Sequence, residues 1–204
     1  MKRKTFLQSI VLILIIGFGF IILPKAPEIG DRVRLLNYQP SYDMAELSEQ
    51  AGMSRYGRRL FYVYDPEFSS EARLKGACGD ASKPIGCISD NKILILEPDT
   101  KDDNSESIVT AAHEMLHVAY SRLDSKEKSE VDKQINSVIN NLNPSILNDI
   151  EDYRGIADKV MADEAYAIVG SEADSLPKNL KGHYSKYFSD RQKTVDAYKQ
   201  SRTR

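Results

Sequence analysis

The pattern of apolar and polar residues predicts two strands in the first half of the chain and helices in the second. Residues 59–64 (RLFYVY) and 92–97 (KILILE) are apolar and β-prone, and an Asp or Pro turn signal closes each run. From residue 103 onward, apolar residues recur every three or four positions, which is typical of amphipathic helices. The predicted helices cover residues 43–51, 70–75, 103–120, 124–142, 146–150, 156–169 and 177–198.

Residues 6–23 (FLQSIVLILIIGFGFIIL) form a stretch of 18 residues without a charged side chain. A helix of this length rises about 1.5 Å per residue and is close to the hydrocarbon thickness of a bilayer. Basic residues precede the stretch and no small-residue cleavage pattern follows it, which favours an uncleaved signal anchor over a removed signal peptide. We therefore expect a cytoplasmic tip and transmembrane anchor over 1–24, a tether over 25–40, and a domain over 41–204 held outside the cytoplasm at the cell membrane.

Cys78 and Cys87 are the only cysteines of the chain, and Gly79, Pro84 and Gly86 between them allow the loop to turn back on itself. In an oxidising compartment such a pair usually forms a disulfide. Two free buried thiols or a metal site are the alternatives. The metal site is poorly supported because the loop contains neither a Cys-x-x-Cys spacing nor a nearby histidine. A disulfide is the preferred interpretation.

The most informative chemical signal is the H-E-x-x-H motif His113-Glu114-Met115-Leu116-His117, which falls on the predicted helix over 103–120. Residues i and i+4 lie on one face of a helix, so both imidazoles can reach a single ion. Glu114 falls beside them and can take a proton from a water bound to that ion. The chain has only three histidines, which makes an accidental match rare. Zinc is the predicted metal.

A catalytic zinc site needs a third protein ligand and an open position for water. The metzincin continuation, with Gly and His at fixed positions after the motif, is excluded because Tyr120 and Leu123 stand there. Glu164 is preferred, since it lies 47 positions after the second histidine of the motif and nearby alanines would let its helix approach closely. Glu172 and His183 remain alternative ligands, and a plain surface carboxylate remains an alternative role for Glu164.

The H-E-x-x-H motif, together with Glu164 in the context E-A-Y-A, resembles the gluzincins, zinc peptidases in which a glutamate on a downstream helix completes the site. The resemblance is greatest to the smallest gluzincins and covers roughly residues 92–170. It implies a zincin-like α+β fold: a small antiparallel or mixed sheet, with 92–97 as its edge strand, packed on a mostly helical domain and here preceded by one transmembrane helix. The edge strand would pair with extended substrate.

The resemblance also implies roles for individual residues. His113, His117 and Glu164 would bind zinc, and Glu114 would be the general base. Larger gluzincins often place an Asp four residues after the ligand glutamate to orient a histidine, but Ile168 stands at that position here. The candidates for such a carboxylate elsewhere are Asp152, Asp158 and Asp163. The candidates for a donor to the oxyanion are Tyr166, His183 and Tyr184.

The function expected from the sequence is hydrolysis of a protein or peptide substrate by a membrane-anchored zinc metallopeptidase. One alternative is a non-catalytic envelope or adhesion module, anchored through residues 6–23, in which zinc is structural and a fourth protein ligand closes the site. The other is a zinc amidase that acts on cell-wall peptides. A net charge of −2, from 28 basic and 30 acidic residues, gives no reason to expect nucleic acid as a partner. No particular oligomeric state is predicted.

Overall fold

The computed structural model describes most of the 204-residue chain, namely residues 26–78, 84–100, 103–151 and 158–203. The chain divides into two compact units, residues 1–38 and 39–204. In the described part of the first unit, Ala26–Arg34 form helix α1. The second unit contains the strands and the candidate site.

The second unit is mostly helical and contains a small sheet. Its helices are α2 (Tyr42–Gln50), α3 (Arg55–Tyr62), α4 (Glu71–Ala77), α5 (Ser105–Ser121), α6 (Ser125–Val138), α7 (Pro144–Glu151), α8 (Asp158–Glu172), α9 (Lys178–Tyr184) and α10 (Gln192–Ser201), with a 3₁₀ turn at Ile139–Asn141. Its strands are β1 (Glu67–Ser69), β2 (Gly86–Ser89) and β3 (Lys92–Leu96).

Helix α5 forms the centre of the hydrophobic core. It packs against α2, α3, α8 and α10 and against strands β2 and β3. Ala112, Met115, Leu116 and Ala119 of α5 are each fully buried. These four residues lie on one side of α5, and Ala111 and Val118 on another side are also at most 1% exposed. The other elements therefore enclose α5, and packing fixes its orientation.

The sheet is mixed, with strand order β1-β3-β2. Strand β3 pairs in parallel with β1 and antiparallel with β2. The β2–β3 hairpin turns at Asp90 and Asn91, whose φ angles of 50° and 61° suit a two-residue turn of the type that joins twisted strands. The prediction that residues 92–97 form an edge strand is wrong, because β3 is the central strand and β2 is the edge strand beside α5.

A disulfide between Cys78 and Cys87 confirms the predicted pairing. Cys78 follows the last residue of α4, and Cys87 lies in β2. The disulfide therefore fastens the edge strand to the end of a helix that also packs on β2 and β3. The position of β2 is thus fixed both by its pairing with β3 and by a covalent bond.

The strand predicted over residues 59–64 is wrong, because most of that run belongs to helix α3. The Ser54 hydroxyl accepts a hydrogen bond of 3.0 Å from the Gly57 N–H and caps the first turn. Leu60 and Phe61 are at most 1% exposed. Capping and burial in the core therefore outweigh the local β propensity of the run.

The predicted fold class, a zincin-like α+β domain preceded by one transmembrane helix, is wrong. Among the described residues, no helix combines the length and the apolar character needed to cross a membrane. The same finding contradicts the predicted single-pass localisation. The predicted span, residues 6–23, lies outside the described residues. The architecture observed is a mostly helical one with a three-stranded mixed sheet.

Candidate metal centre

Three side chains that could hold a metal ion converge between α5 and α8. They are His113, His117 and Glu164, and one donor atom from each lies within 4.8 Å of the others. The two Nε2 atoms are 2.9 Å apart. The Glu164 carboxylate oxygens lie 3.4 Å from Nε2 of His113 and 3.7 Å from Nε2 of His117.

The helices that carry these donors approach closely because small residues lie where they meet. On α8, Ala165 is 5% exposed and Ala167 is fully buried. A Cβ atom at Gly170 would lie only 2.5 Å from the Leu116 Cδ1 atom of α5. The core packing of α5 and α8 therefore sets the distance between the two histidines and Glu164 before any ion binds.

Asp163 holds the second histidine of the motif. Its Oδ1 lies 2.9 Å from Nδ1 of His117, which leaves Nε2 directed toward His113 and Glu164. Burial lowers the pKa of the His117 imidazole, but its hydrogen bond to the Asp163 carboxylate and the surrounding carboxylates raise the pKa to about 9. Of the three carboxylates considered for this orienting role, Asp163 makes the contact. Asp152 and the side chain of Asp158 lie outside what the structure describes.

Glu114 lies in the narrow space between α5 and β2. It is only 6% exposed, and its Oε1 lies 3.5 Å from the position that a Cβ atom of Gly86 would occupy. Burial raises the pKa of this carboxyl above its usual range, the two imidazoles lower it, and Glu164 and Asp163 raise it. Within the described residues, its carboxylate takes part in no hydrogen bond, so it is available to a bound molecule.

The predicted oxyanion donors form hydrogen bonds with one another. The Tyr166 hydroxyl and Nε2 of His183 share a hydrogen bond of 2.8 Å, and the Tyr184 hydroxyl donates to the Tyr166 carbonyl at 2.8 Å. Both tyrosines are at most 1% exposed. Burial lowers the pKa of His183 to about 4. These three residues therefore stabilise the packing of α9 on α8, and His183 is not in the metal-binding group of the described residues.

Glu172, the other carboxylate considered as a ligand, is not in that group either. It lies two turns after Glu164 on α8 and is 9% exposed. Burial and the nearby Asp149 raise its pKa to about 8, while Arg202 and the Tyr198 hydroxyl lower it. Glu172 therefore belongs to a polar cluster of α7, α8 and α10.

Within the described residues, no other strand pairs with the outer edge of β2, which lies near Glu114. The Leu96 N–H donates to the Ile85 carbonyl at 2.8 Å, and hydrogen-bonded pairs alternate along antiparallel strands. Cys87 therefore bonds to β3, whereas Gly86 and Ile88 direct their N–H and C=O groups away from it. The outer edge of β2 could not be predicted from the sequence, where Gly86 is recognisable only as a turn residue of the cysteine loop.

We expect Gly86→Ala to destabilise the protein and to displace β2 from α5. The added methyl would collide with Cγ2 of Thr110 and lie 3.0 Å from the Leu94 carbonyl oxygen. Overpacking of this kind costs about 1–3 kcal/mol of unfolding free energy, which chemical denaturation measures. Thr110→Ser removes the colliding methyl and keeps the hydroxyl, which donates a hydrogen bond to the backbone carbonyl of Glu106. The double variant should regain part of the loss, and an equal loss in the presence and absence of Thr110→Ser would contradict the proposed collision.

The described centre thus provides two imidazoles and a carboxylate for a metal ion, with a buried carboxylate beside them. A group of three protein ligands leaves a position for water on a tetrahedral ion. Such an arrangement can bind a metal and move a proton next to it. No protein-family model, curated protein or solved structure matches this chain.

Proposed function

We propose that this protein is a zinc-dependent metallopeptidase that hydrolyses peptide bonds. The observation that carries the proposal is the convergence of His113, His117 and Glu164 near the buried carboxylate of Glu114. The H-E-x-x-H motif followed by a glutamate of a later helix resembles the ligand pattern of the gluzincins, which supports the proposal. A protein or peptide is the expected substrate.

The donor set fits zinc. Zinc in proteins is bound by imidazole nitrogens at about 2.0–2.1 Å and carboxylate oxygens at about 2.0–2.2 Å, usually in tetrahedral geometry. Two such donors on one ion are therefore separated by roughly 3.4 Å. The separations of 2.9, 3.4 and 3.7 Å among the three side chains lie around this value. Small side-chain adjustments would bring all three donors to one ion.

Glu114 is suited to act as general base. A zinc ion held by the three ligands would supply Lewis acidity, which activates water and polarises the scissile carbonyl. Glu114 would accept a proton from the attacking water on a carboxylate oxygen and deliver it to the leaving amide nitrogen as the C–N bond breaks. Burial raises the pKa of Glu114, which makes its carboxylate a better proton acceptor near neutral pH.

The open edge of β2 offers a place for the substrate backbone. The outward N–H and C=O groups of Gly86 and Ile88 can pair with an extended peptide, which would add a strand to the sheet. The Cβ position of Gly86 lies 3.5 Å from Oε1 of Glu114, so this part of β2 is next to the proposed base. A peptide paired there would have a carbonyl carbon within reach of Glu114 and of the metal ligands.

The same geometry favours catalysis over a structural role for zinc. A structural site would need a fourth protein ligand, and His183 is the one histidine of the chain outside the motif. In the described part of the chain, Nε2 of His183 is hydrogen-bonded to Tyr166 and the metal-binding group has three members. A zinc ion held by these three ligands would therefore keep one position for water.

Metal analysis and peptide cleavage test the proposal together. We expect about one tightly bound zinc per chain and cleavage of an unfolded protein substrate that a zinc chelator abolishes and added zinc restores. Elemental analysis and a fluorogenic casein assay measure the two quantities. A zinc-loaded protein that cleaves neither unfolded proteins nor peptides would contradict the proposed function and favour structural zinc.

A further inference from the structure

Strand β2 has few noncovalent supports, although it lies next to the proposed base. All four of its residues, Gly86–Ser89, are only partly buried, whereas Ile93, Leu94 and Ile95 of β3 are at most 2% exposed. Among the described strands, β2 pairs only with β3. A strand gains stability mainly from the apolar side chains that it buries, and two paired strands alone are marginally stable in water. Backbone pairing and packing therefore leave β2 weakly held.

The disulfide joins this strand to a firmly packed helix. Cys87 lies within β2, and Cys78 directly follows α4. Leu74 of α4 is fully buried, and its carbonyl accepts a hydrogen bond of 2.8 Å from the Cys78 N–H. The two cysteines are 9 positions apart. In the chain-entropy model, a cross-link across a loop of this size changes the equilibrium between the ordered and the open segment by about 100-fold.

A reductant can reach this bond, because both cysteines are partly exposed. The thiolate of a dithiol attacks one cysteine sulfur, which breaks the S–S bond and forms a mixed disulfide. The second thiolate of the dithiol then attacks the reductant's own sulfur in the mixed disulfide and releases the other cysteine. Cys78 and Cys87 thus gain two electrons and two protons and become thiols, while the dithiol becomes a disulfide.

The zinc ligands do not depend on β2. His113 and His117 lie on α5, Glu164 lies on α8, and these two helices pack directly on each other. Gly86 of β2 instead lies against Glu114. Displacement of β2 would therefore remove the peptide-binding edge from beside the proposed base and leave the metal ligands in place.

From the accessible disulfide, the weakly held strand and the independent metal ligands, we propose that the Cys78–Cys87 bond is a redox switch for substrate binding. In the oxidised protein it holds β2 where the outer edge can pair with a peptide. Reduction by a dithiol releases β2 and weakens peptide binding while zinc remains bound. The inference concerns regulation of the candidate site and rests on the proposed function.

Hydrogen exchange at two neighbouring amides of β3 tests the effect on β2. Leu94 is opposite Cys87 and directs its N–H toward β2, whereas the Ile93 N–H donates to the Tyr64 carbonyl at 2.8 Å on the β1 side. The full-length protein is reduced with dithiothreitol, desalted and reloaded with zinc without oxygen. We expect exchange to become about 100-fold faster at Leu94 and to stay unchanged at Ile93.

The double variant Cys78→Ser with Cys87→Ser is the matched control. It should show the fast exchange at Leu94 without any reductant and should not respond to dithiothreitol. Equal exchange at Leu94 in the oxidised and reduced parent would overturn the inference. The same acceleration at Ile93 would also overturn it, because the disulfide would then support the whole sheet and not β2 in particular.

Binding of labelled, unfolded casein to zinc-loaded Glu114→Gln protein tests the effect on substrate without turnover. We expect reduction to weaken binding by about tenfold, because only molecules with β2 in place bind, and reoxidation with oxidised glutathione to restore it. Zinc stoichiometry should be the same in both states. Equal binding in both states, or loss of zinc on reduction, would contradict the switch. Failure of the oxidised parent to cleave any unfolded protein would instead count against the proposed function, and the exchange rates at Leu94 and Ile93 would still decide whether the disulfide controls β2.

Discussion

Replacing Glu114 with glutamine is expected to abolish peptide hydrolysis while zinc remains bound. The amide has nearly the shape of the carboxylate but cannot accept the proton of the attacking water at neutral pH. Loss of a general base lowers the rate by about 10²–10⁴-fold. Because Glu114 is not in the metal-binding group, zinc stoichiometry should equal that of the parent protein. The value of kcat/KM on a fluorogenic peptide measures hydrolysis, and elemental analysis measures bound zinc.

The variant should also fold at least as well as the parent. Glu114 is 6% exposed, and burial disfavours its charged form. A neutral amide avoids that desolvation cost, so thermal unfolding of the metal-free proteins should show no loss of stability. His113→Ala serves as the contrasting control, because it removes a ligand and should lose zinc and hydrolysis together. If the glutamine variant cleaved peptides as the parent does, Glu114 would not be the base.

The part of the site that lies on one helix could be predicted from the sequence, because its geometry is local. Two histidines at positions i and i+4 lie on the same face of a helix, one turn apart. The apolar spacing around Met115 and Leu116 predicts that this segment is helical, and it lies in α5. The sequence favours Glu164 as the third ligand but cannot exclude Glu172, because Glu172 has a similar helical position. Their environments differ only through tertiary packing, which places Glu172 beside Asp149 and Arg202.

The arrangement of the sheet could not be predicted, because it depends on contacts between distant segments. Strand β1 has only three residues, Glu67–Ser69, and no alternating pattern marks it. Without β1, β3 is read as an edge strand and β2 as part of a loop. The parallel pairing of Phe68 with Ile95 makes β3 central and leaves β2 at the edge. The wrong strand over 59–64 has the same origin, because burial of Leu60 and Phe61 decides the conformation.

The hydrogen-bond partners of the two histidines are harder to predict from the sequence than the metal ligands. Asp163 directly precedes Glu164, and residues adjacent in a helix usually point in different directions. In the structure both reach the same pair of histidines, Glu164 at the Nε2 atoms and Asp163 at Nδ1 of His117. Sequence spacing offers no rule for this, because it depends on how α8 is rotated against α5.

Glu164→Ala is expected to weaken zinc binding by more than about 100-fold, beyond the 10–100-fold that loss of an outer-shell partner usually causes. The variant retains both imidazoles but loses the only carboxylate of the metal-binding group in the described residues. Zinc affinity is measured by competition with a chromophoric chelator. Asp163→Ala should fall within the smaller range, because it removes a contact to His117 and not a ligand.

Glu172→Gln is the matched control for the ligand assignment. It changes a buried glutamate of the same helix, two turns further on, and should leave zinc affinity unchanged. Because Glu172 is buried with a raised pKa, its replacement should alter folding stability and leave zinc affinity unchanged. The comparison therefore separates a general disturbance of α8 from loss of a metal ligand. If Glu164→Ala kept the parent affinity while Glu172→Gln lost it, Glu172 would be the ligand and the α8 face assigned to the metal would be wrong. A large loss in Glu164→Ala alone would identify Glu164 as the third donor, because Glu172→Gln disturbs the same helix without removing a member of the metal-binding group in the described residues.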